Sequence, residues 1–412
     1  MNPADILPPL RRFEVIPINS DGQEAFLLRD PQNFAESVIT VSRPVLFCLQ
    51  YFDGKTQAAT LAELWKEATN GHEFPYEQLD NIVAEMDRVY LLANDRAAAR
   101  EGELRKEFAM LVARPDRFGD AGADILAALA RSYQSAGLPA APQIANESND
   151  LALLIAPHID YARGGAAWAQ AYAAARRGFA GDTVVILGVN HQLHEHPLTL
   201  TRKSFATPLG EVRTDSALVG ELAAALPFDA FADEFCHRDE HSVELAAIAL
   251  KHAFGEGCPA IVPILCGSVE DFVQAGLFPR AADQIVAFHE ALSAMLARLG
   301  DRALVIASVD FSHIGPQFGD ETPIDEDAFA ASLAADGKLM EVIGRGDAQE
   351  FFRAIVNDKN ARHLCGVAPL YHALTCVRAG EPLPAVSHGW RAADGAGAVT
   401  FAVGGLRRKS VA

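Results

Sequence analysis

Leu151-Ala-Leu-Leu-Ile-Ala156-Pro-His158-Ile-Asp160-Tyr161 reads as a short apolar strand that runs straight into titratable side chains. Six apolar residues in a row are far short of the roughly 20 needed to cross a bilayer. They also lack the polar alternation of a strand with one wet face, so the strand needs cover on both faces. The pattern recurs where Thr183-Val-Val-Ile-Leu-Gly188 leads to Asn190-His191-Gln192, and where Ala303-Leu-Val-Ile-Ala-Ser308 leads to Asp310-Phe-Ser312-His313. A fourth run, Ala260-Ile-Val-Pro-Ile-Leu-Cys266, has no such tail. Helical segments separate the four, which predicts an α/β domain with a mostly parallel sheet flanked by helices. Ligands of such sheets bind beyond the carboxyl ends of the strands. A lone histidine there is usually structural, but three strand-end histidines in one sheet point to a functional cluster.

Two other segments are candidates for the same site. Arg238-Asp239-Glu240-His241-Ser242-Val243-Glu244 precedes a helical stretch at 245–253. Asp239 and Glu240 there read as acids placed favourably against a helix dipole, whereas His241 reads equally as a site residue. His363-Leu-Cys365-Gly366-Val-Ala-Pro369 sets a cysteine where a helix over 370–377 begins. A helix N-terminus lowers a thiol pKa and favours the thiolate, although spacing alone fits a buried, inert cysteine as well. His194 and His196 lack helical ligand spacing, and neither Cys236-His237 nor Cys258 with Cys266 has the paired CxxC geometry of a structural zinc site. There is no GxSxG elbow, Walker loop or well-placed GxGxxG.

The chain has 412 residues, half of them hydrophobic and 22% charged, which is ordinary globular composition. Acids outnumber lysine and arginine 54 to 35, for a net charge of −19. That balance argues against nucleic acid or an anionic membrane face as partner. The six cysteines form no disulfide framework, and no secretory signal is visible, so the expected setting is soluble and cytoplasmic.

Residues 1–95 read as a separate small unit. A strand pair surrounds the turn Asn19-Ser-Asp-Gly22, and Asp30-Pro31 ends its second strand. Three helices follow, one dense around 45–52, one starting at Thr60 with Glu63 at capping-box spacing, and one over 76–88. Val89-Tyr-Leu-Leu92 is strand-like, and the whole suggests a winged-helix-like module. Residues 96–149 form a linker or lead-in with a helical pattern at 123–136, and 150–412 form the α/β domain.

The chain resembles the Memo family, proteins labelled AmmeMemoRadiSam system protein B. The matching pieces run in order from Ala156-Pro-His158-Ile-Asp-Tyr161 and Leu187-Gly-Val-Asn-His191 through Thr207-Pro-Leu-Gly210 and Asp239-Glu-His241-Ser-Val-Glu244. Ile261-Val-Pro-Ile-Leu265, Ser308-Val-Asp310-Phe-Ser-His313 and Leu364-Cys365-Gly366 complete the set. The resemblance implies a fold like that of class III extradiol dioxygenases and a mononuclear site for iron(II) or copper. Its ligands would be His158, His191 and Cys365, with Asp310, His313 and His241 as neighbouring acid/base residues. Asn190-His191-Gln192 stands where the family has Ser-His-His, and Ile159-Asp160 where it has Ala-Gly.

Residues 1–95 also resemble PqqD-like peptide-binding modules, through Leu28-Arg-Asp-Pro31, Phe52-Asp-Gly54 and the helix start at 60–64. A dimerisation or packing domain fits that segment equally. These resemblances imply a metal-dependent oxidoreductase acting on a small molecule or peptide. The alternatives are a peptide-binding adaptor serving a radical SAM enzyme, or a metal-dependent hydrolase.

Overall fold

The structure, a computed structural model, describes residues 1–20, 23–30, 33–34, 38–192 and 194–409. The chain divides between Met110 and Leu111 into two compact units.

In the first unit, β1 (Glu14–Ser20), β2 (Gln23–Arg29) and β3 (Ile39–Val41) form an antiparallel sheet in that order. Four helices follow: α1 (Arg43–Leu49), α2 (Ala58–Ala68), α3 (Tyr76–Arg88) and α4 (Asp95–Met110). Leu28, Leu49, Phe52, Leu61, Leu79 and Met86 make the core. Of the expected turn at 19–22, Asp21 and Gly22 lie outside the described residues, as does Pro31.

Two local expectations give way. The Thr60–Glu63 capping box does not form, because α2 starts two residues earlier and Gln57 is its N-cap. Val89–Leu92 is not a strand. Tyr90 takes φ 57°, its N–H bonds the Asp87 carbonyl, and the Leu91 N–H bonds that of Met86. That pair of bonds is a Schellman stop for α3, and Leu91 and Met86 are both buried in the core of this unit. The Arg11 guanidinium donates to the Tyr90 carbonyl and pins the turn. Helix α4 lies in the first unit and buries Ala97, Leu104 and Phe108.

The second unit begins with β4 (Ala113–Arg114) and α5 (Gly122–Ser135), then β5 (Leu151–Ala156), α6 (Tyr161–Gly164), α7 (Ala166–Gly178) and β6 (Thr183–Val189). Next come β7 (Leu198–Leu200), β8 (Ser204–Phe205), α8 (Ser216–Ala224), α9 (His241–Phe254) and β9 (Ala260–Cys266). They are followed by α10 (Glu270–Ala275), α11 (Asp283–Leu299), β10 (Ala303–Ser308), β11 (His313–Ile314) and α12 (Glu326–Gly344). The chain closes with α13 (Ala348–Asp358), α14 (Val367–Cys376), β12 (Ala379–Pro382), β13 (Val386–Arg391) and β14 (Ala398–Arg408).

Among the described residues these strands build a nine-stranded sheet in the order β11-β14-β5-β10-β6-β9-β7, with β12 and β13 also paired to β14. The four runs read as strands are its parallel centre, β5-β10-β6-β9, and antiparallel strands on both sides make the sheet mixed. From Leu153 onward, residues of β5 alternate between two cores. Leu153 and Ile155 join Phe288, Leu292, Phe352 and Leu370 from α11, α13 and α14. Leu151, Leu154 and Ala156 join Leu129, Trp168, Tyr172 and Ile248 from α5, α7 and α9. Helices thus cover both faces, as continuous apolar strands require. No described helix is long and apolar enough to cross a membrane.

Candidate metal centre

β10 lies between β5 and β6, so the carboxyl ends of these strands lie side by side. The Ala156 carbonyl accepts from the Val309 N–H, tying the turn after β10 to the end of β5. Asp310 Oδ1 then accepts the backbone N–H groups of His158 and Ile159, at 3.0 and 3.2 Å. Burial raises the Asp310 carboxyl to about 6, against those two bonds, which favour its ionised form.

Hydrogen bonds set how each imidazole faces the centre. His158 Nδ1 lies 3.0 Å from the Ser308 carbonyl, an acceptor only, so Nδ1 carries the proton and Nε2 keeps its lone pair. That Nε2 is 3.3 Å from Cys365 Sγ. His191 Nδ1 lies 3.1 Å from both oxygens of Glu240, which leaves its Nε2 for Cys365. Burial pushes the His158 imidazole well below its ordinary value. Burial would lower His191 too, but the Glu240 carboxylate and Cys365 together outweigh it and raise that imidazole well above the usual range.

Cys365 reaches the cluster through a strained loop. Asn360 and His363 take φ 53° and 51°, each a left-handed position that costs a non-glycine residue about 1 kcal/mol. The Asn360 side chain offsets this by bonding the Leu364 N–H and carbonyl at 2.8 and 3.3 Å. Gly366 then passes against β10, donating its N–H to the Asp310 carbonyl. The expected thiolate-favouring effect of α14 is overruled in the free protein: burial comes first and leaves the thiol raised above 9.0, although His191 pulls it down.

One ligand atom each from His158, His191 and Cys365 lies within 4.8 Å of the others, a set that could hold a metal ion. The donor chemistry fits. Two Nε2 atoms and a sulfur converge, and the 3.3 Å between Sγ and His158 Nε2 is near the roughly 3.5 Å set by tetrahedral metal–sulfur and metal–nitrogen bonds.

His241 joins the same cluster. Its ring stacks on His191 at 5.1 Å and meets His158 edge-on at 5.2 Å. His313 neither stacks on nor hydrogen-bonds these rings and feels His191 only through its charge, with Nδ1 donating to the Phe311 carbonyl and its ring against Phe318. Burial lowers that imidazole to about 4. His194 and His196 point elsewhere, to the Gln192 carbonyl and the Phe228 ring. His237 is buried against the Thr199 carbonyl.

The reading of Glu240 as a plain helix-start acid falls short. It is the N-cap of α9, but it is 3% exposed and faces both His191 and His241. Its position one residue before His241 was the available signal, and only the approach of β6 to α9 shows the pairing. That approach needs Gly188, where a Cβ would lie 2.6 Å from Ser242 Oγ. Behind it, fully buried Arg114 bonds the carbonyls of His237 and Glu240 and pairs with Glu244 at 2.5 Å. A cavity of about 560 Å³, lined by Ala152, Ala303 and Cys376 among others, opens at the far end of the strands and includes no cluster residue.

Fold and side chains together define a class: α/β proteins with a strand-end His/His/Cys group able to hold one metal ion. The chain belongs to the Memo-like protein family, whose family model it matches over residues 127–388. It is 26% identical to a MEMO1 family protein of Aquifex aeolicus over 364 residues, covering 87% of this chain and 88% of that one. The 13% of the chain left outside is shorter than the first unit, so the likeness extends into that unit. A Thermus thermophilus MEMO1 family protein is 25% identical, with 71% and 82% covered, and one from Methanococcoides burtonii 29%, with 56% and 75%.

Proposed function

We propose that this protein is a metal-dependent oxidoreductase with a mononuclear centre held by His158 Nε2, His191 Nε2 and Cys365 Sγ. The observation that carries the reading is the convergence of these three donors, with both imidazole tautomers set from behind by Ser308 and Glu240. Two imidazoles and a thiolate suit iron(II) or copper, and either ion would supply one-electron redox chemistry and Lewis acidity. Three protein ligands leave room for a small molecule or peptide substrate. His241, with Nδ1 facing Glu240, keeps Nε2 free to take a substrate proton. Asp310 anchors the His158 turn, and neutral His313 offers a second acceptor at the edge. We place the protein in the reducing cytoplasm as part of the same proposal.

A second reading rests on the first unit. β1 and β3 are the edges of its three-stranded sheet, and Val15 on β1 is 41% exposed. Such an edge can accept an added peptide strand, which would make the unit a PqqD-like, winged-helix-like adaptor for a radical SAM enzyme. Peptide capture by the whole chain, unchanged by chelation, would favour this role.

Metal content of anaerobically purified protein separates the readings. About one iron or copper per wild-type chain, lost in C365A and H191A, is expected. Folded wild type that neither holds nor takes up either ion would sink the metal-dependent reading.

A further inference from the structure

Glu240 receives more hydrogen bonds than a helix cap needs. Oε1 accepts from the Ser242 N–H at 3.0 Å, which is the cap itself. The same oxygen faces His241 Nδ1 at 3.2 Å and His191 Nδ1 at 3.1 Å, while Oε2 accepts the His191 backbone N–H at 3.1 Å and faces His191 Nδ1 at 3.1 Å. A carboxylate only accepts, so His191 presents Nδ1–H to it, and the 3.2 Å approach of His241 Nδ1 favours the same tautomer there. The rings are stacked with 18° between their planes, and both Nδ1 atoms meet one carboxylate, so both Nε2 atoms point the same way.

We infer that Glu240 is the positioning residue of this centre, one buried carboxylate that aligns two imidazoles, His191 as ligand and His241 as the proton acceptor beside it. The inference rests on the metal-centre reading for those two roles, but the alignment itself is a property of the free chain. Neutral imidazole in water favours the proton on Nε2, the atom the site needs bare. Glu240 reverses that preference for both rings at once and makes His191 the more basic donor. Its own position depends on Arg114, which bonds the Glu240 carbonyl. It also depends on the close packing of β6 against α9 at Gly188.

The test has an arm that needs no variant. Nitrogen-15 NMR of the histidine side chains, in metal-free and zinc-loaded wild type, should show solvent-protected Nδ1-bound protons on both His191 and His241. An Nδ1 without its proton on either ring overturns the inference, whether or not metal binds. The second arm compares E240D and E240Q. Aspartate keeps the charge and is a good N-cap, yet it is one methylene too short to meet both rings. Glutamine keeps the length but turns an N–H toward one of the two Nδ1–H groups. Both should weaken cobalt(II) binding about 10- to 100-fold and lose at least one protected Nδ1 proton. If Glu240 were only a cap, E240D would bind cobalt(II) as wild type does. Two ions per chain, one of them lost in E240Q, would make Glu240 a ligand and also overturn it. Wild type that binds no ion but keeps both protected protons would retain the alignment and sink only the metal reading.

Discussion

Gly366 offers a sharp test of how Cys365 is delivered. Its φ of −76° suits any residue, so backbone freedom is not what glycine supplies. Space is. A Cβ at this position would lie 2.6 Å from Val309 Cβ and 2.8 Å from the Asp310 carbonyl oxygen. Carbon atoms in contact stay about 3.5–4.0 Å apart, so α14 or the end of β10 must retreat by about 1 Å. β10 cannot yield freely, because Asp310 holds the His158 turn. Overpacking of this kind costs about 1–3 kcal/mol, and loss of glycine from the N-cap of α14 adds about 1 kcal/mol. G366A should therefore be destabilised by about 2–4 kcal/mol in urea unfolding. Displacement of the neighbouring sulfur should weaken cobalt(II) binding at least about tenfold, since sites tolerate shifts of only about 0.5 Å. The control is Gly337 inside α12, where an added Cβ meets nothing within 4 Å. There the same substitution should stabilise by up to about 1 kcal/mol. Equal urea midpoints for G366A and wild type, with an unchanged cobalt(II) titration, would refute the argument.

Two further outcomes follow from the buried charges. Glu244 is 1% exposed between Arg114 and Arg117, and despite burial these arginines hold its carboxyl below the usual range. Removing one partner of a buried pair costs about 3–5 kcal/mol. E244Q should lose that much at pH 7 in urea unfolding, and less at pH 3.5, because the stabilisation disappears as pH falls below the unfolded carboxyl pKa of about 4.3. Equal losses at both pH values would count against the ion pair. Burial also lowers His237 to about 3 and His289 to about 4, and it holds His158, His313 and His372 below 6.5. The unfolded chain then binds more protons than the native one between about pH 4 and 6.5, so stability should rise with pH across that window. Asp310 and His191 pull the other way but are outnumbered. H289N should flatten the slope, and an unchanged slope would remove His289 from the account.

Local chemistry made part of this molecule legible in advance. Helix α3 is readable because Leu79, Ile82, Val83 and Met86 recur at helical spacing. β5, β9 and β10 are readable because continuous apolar runs leave few alternatives. β14 was not, although it spans Ala398–Arg408 and its first nine residues are buried. Its Gly404-Gly405 pair looks like a loop, yet a Cβ at Gly405 would run into the Leu153 carbonyl oxygen, so the strand needs that glycine to approach β5. Thr60 misled because a capping-box spacing says nothing about the turn before it. At the site, His158, His191, His241 and Cys365 were visible as residues that follow a strand or open a helix. Glu240 was not, since a buried carboxylate and an exposed helix-start acid are spelled alike.

Residue order alone thus specifies the strands and the chemistry waiting at their ends, because a strand's apolar run and the polar tail after it are local. Which tails meet is not local. β10 enters between β5 and β6 about 150 residues after β5, and that insertion brings Asp310 onto the His158 backbone. His158 and Cys365, 207 positions apart, close to 3.3 Å only after α14 docks against β10 through Gly366. Burial, which depends on every neighbour at once, then decides the proton affinities that no spacing of residues can express.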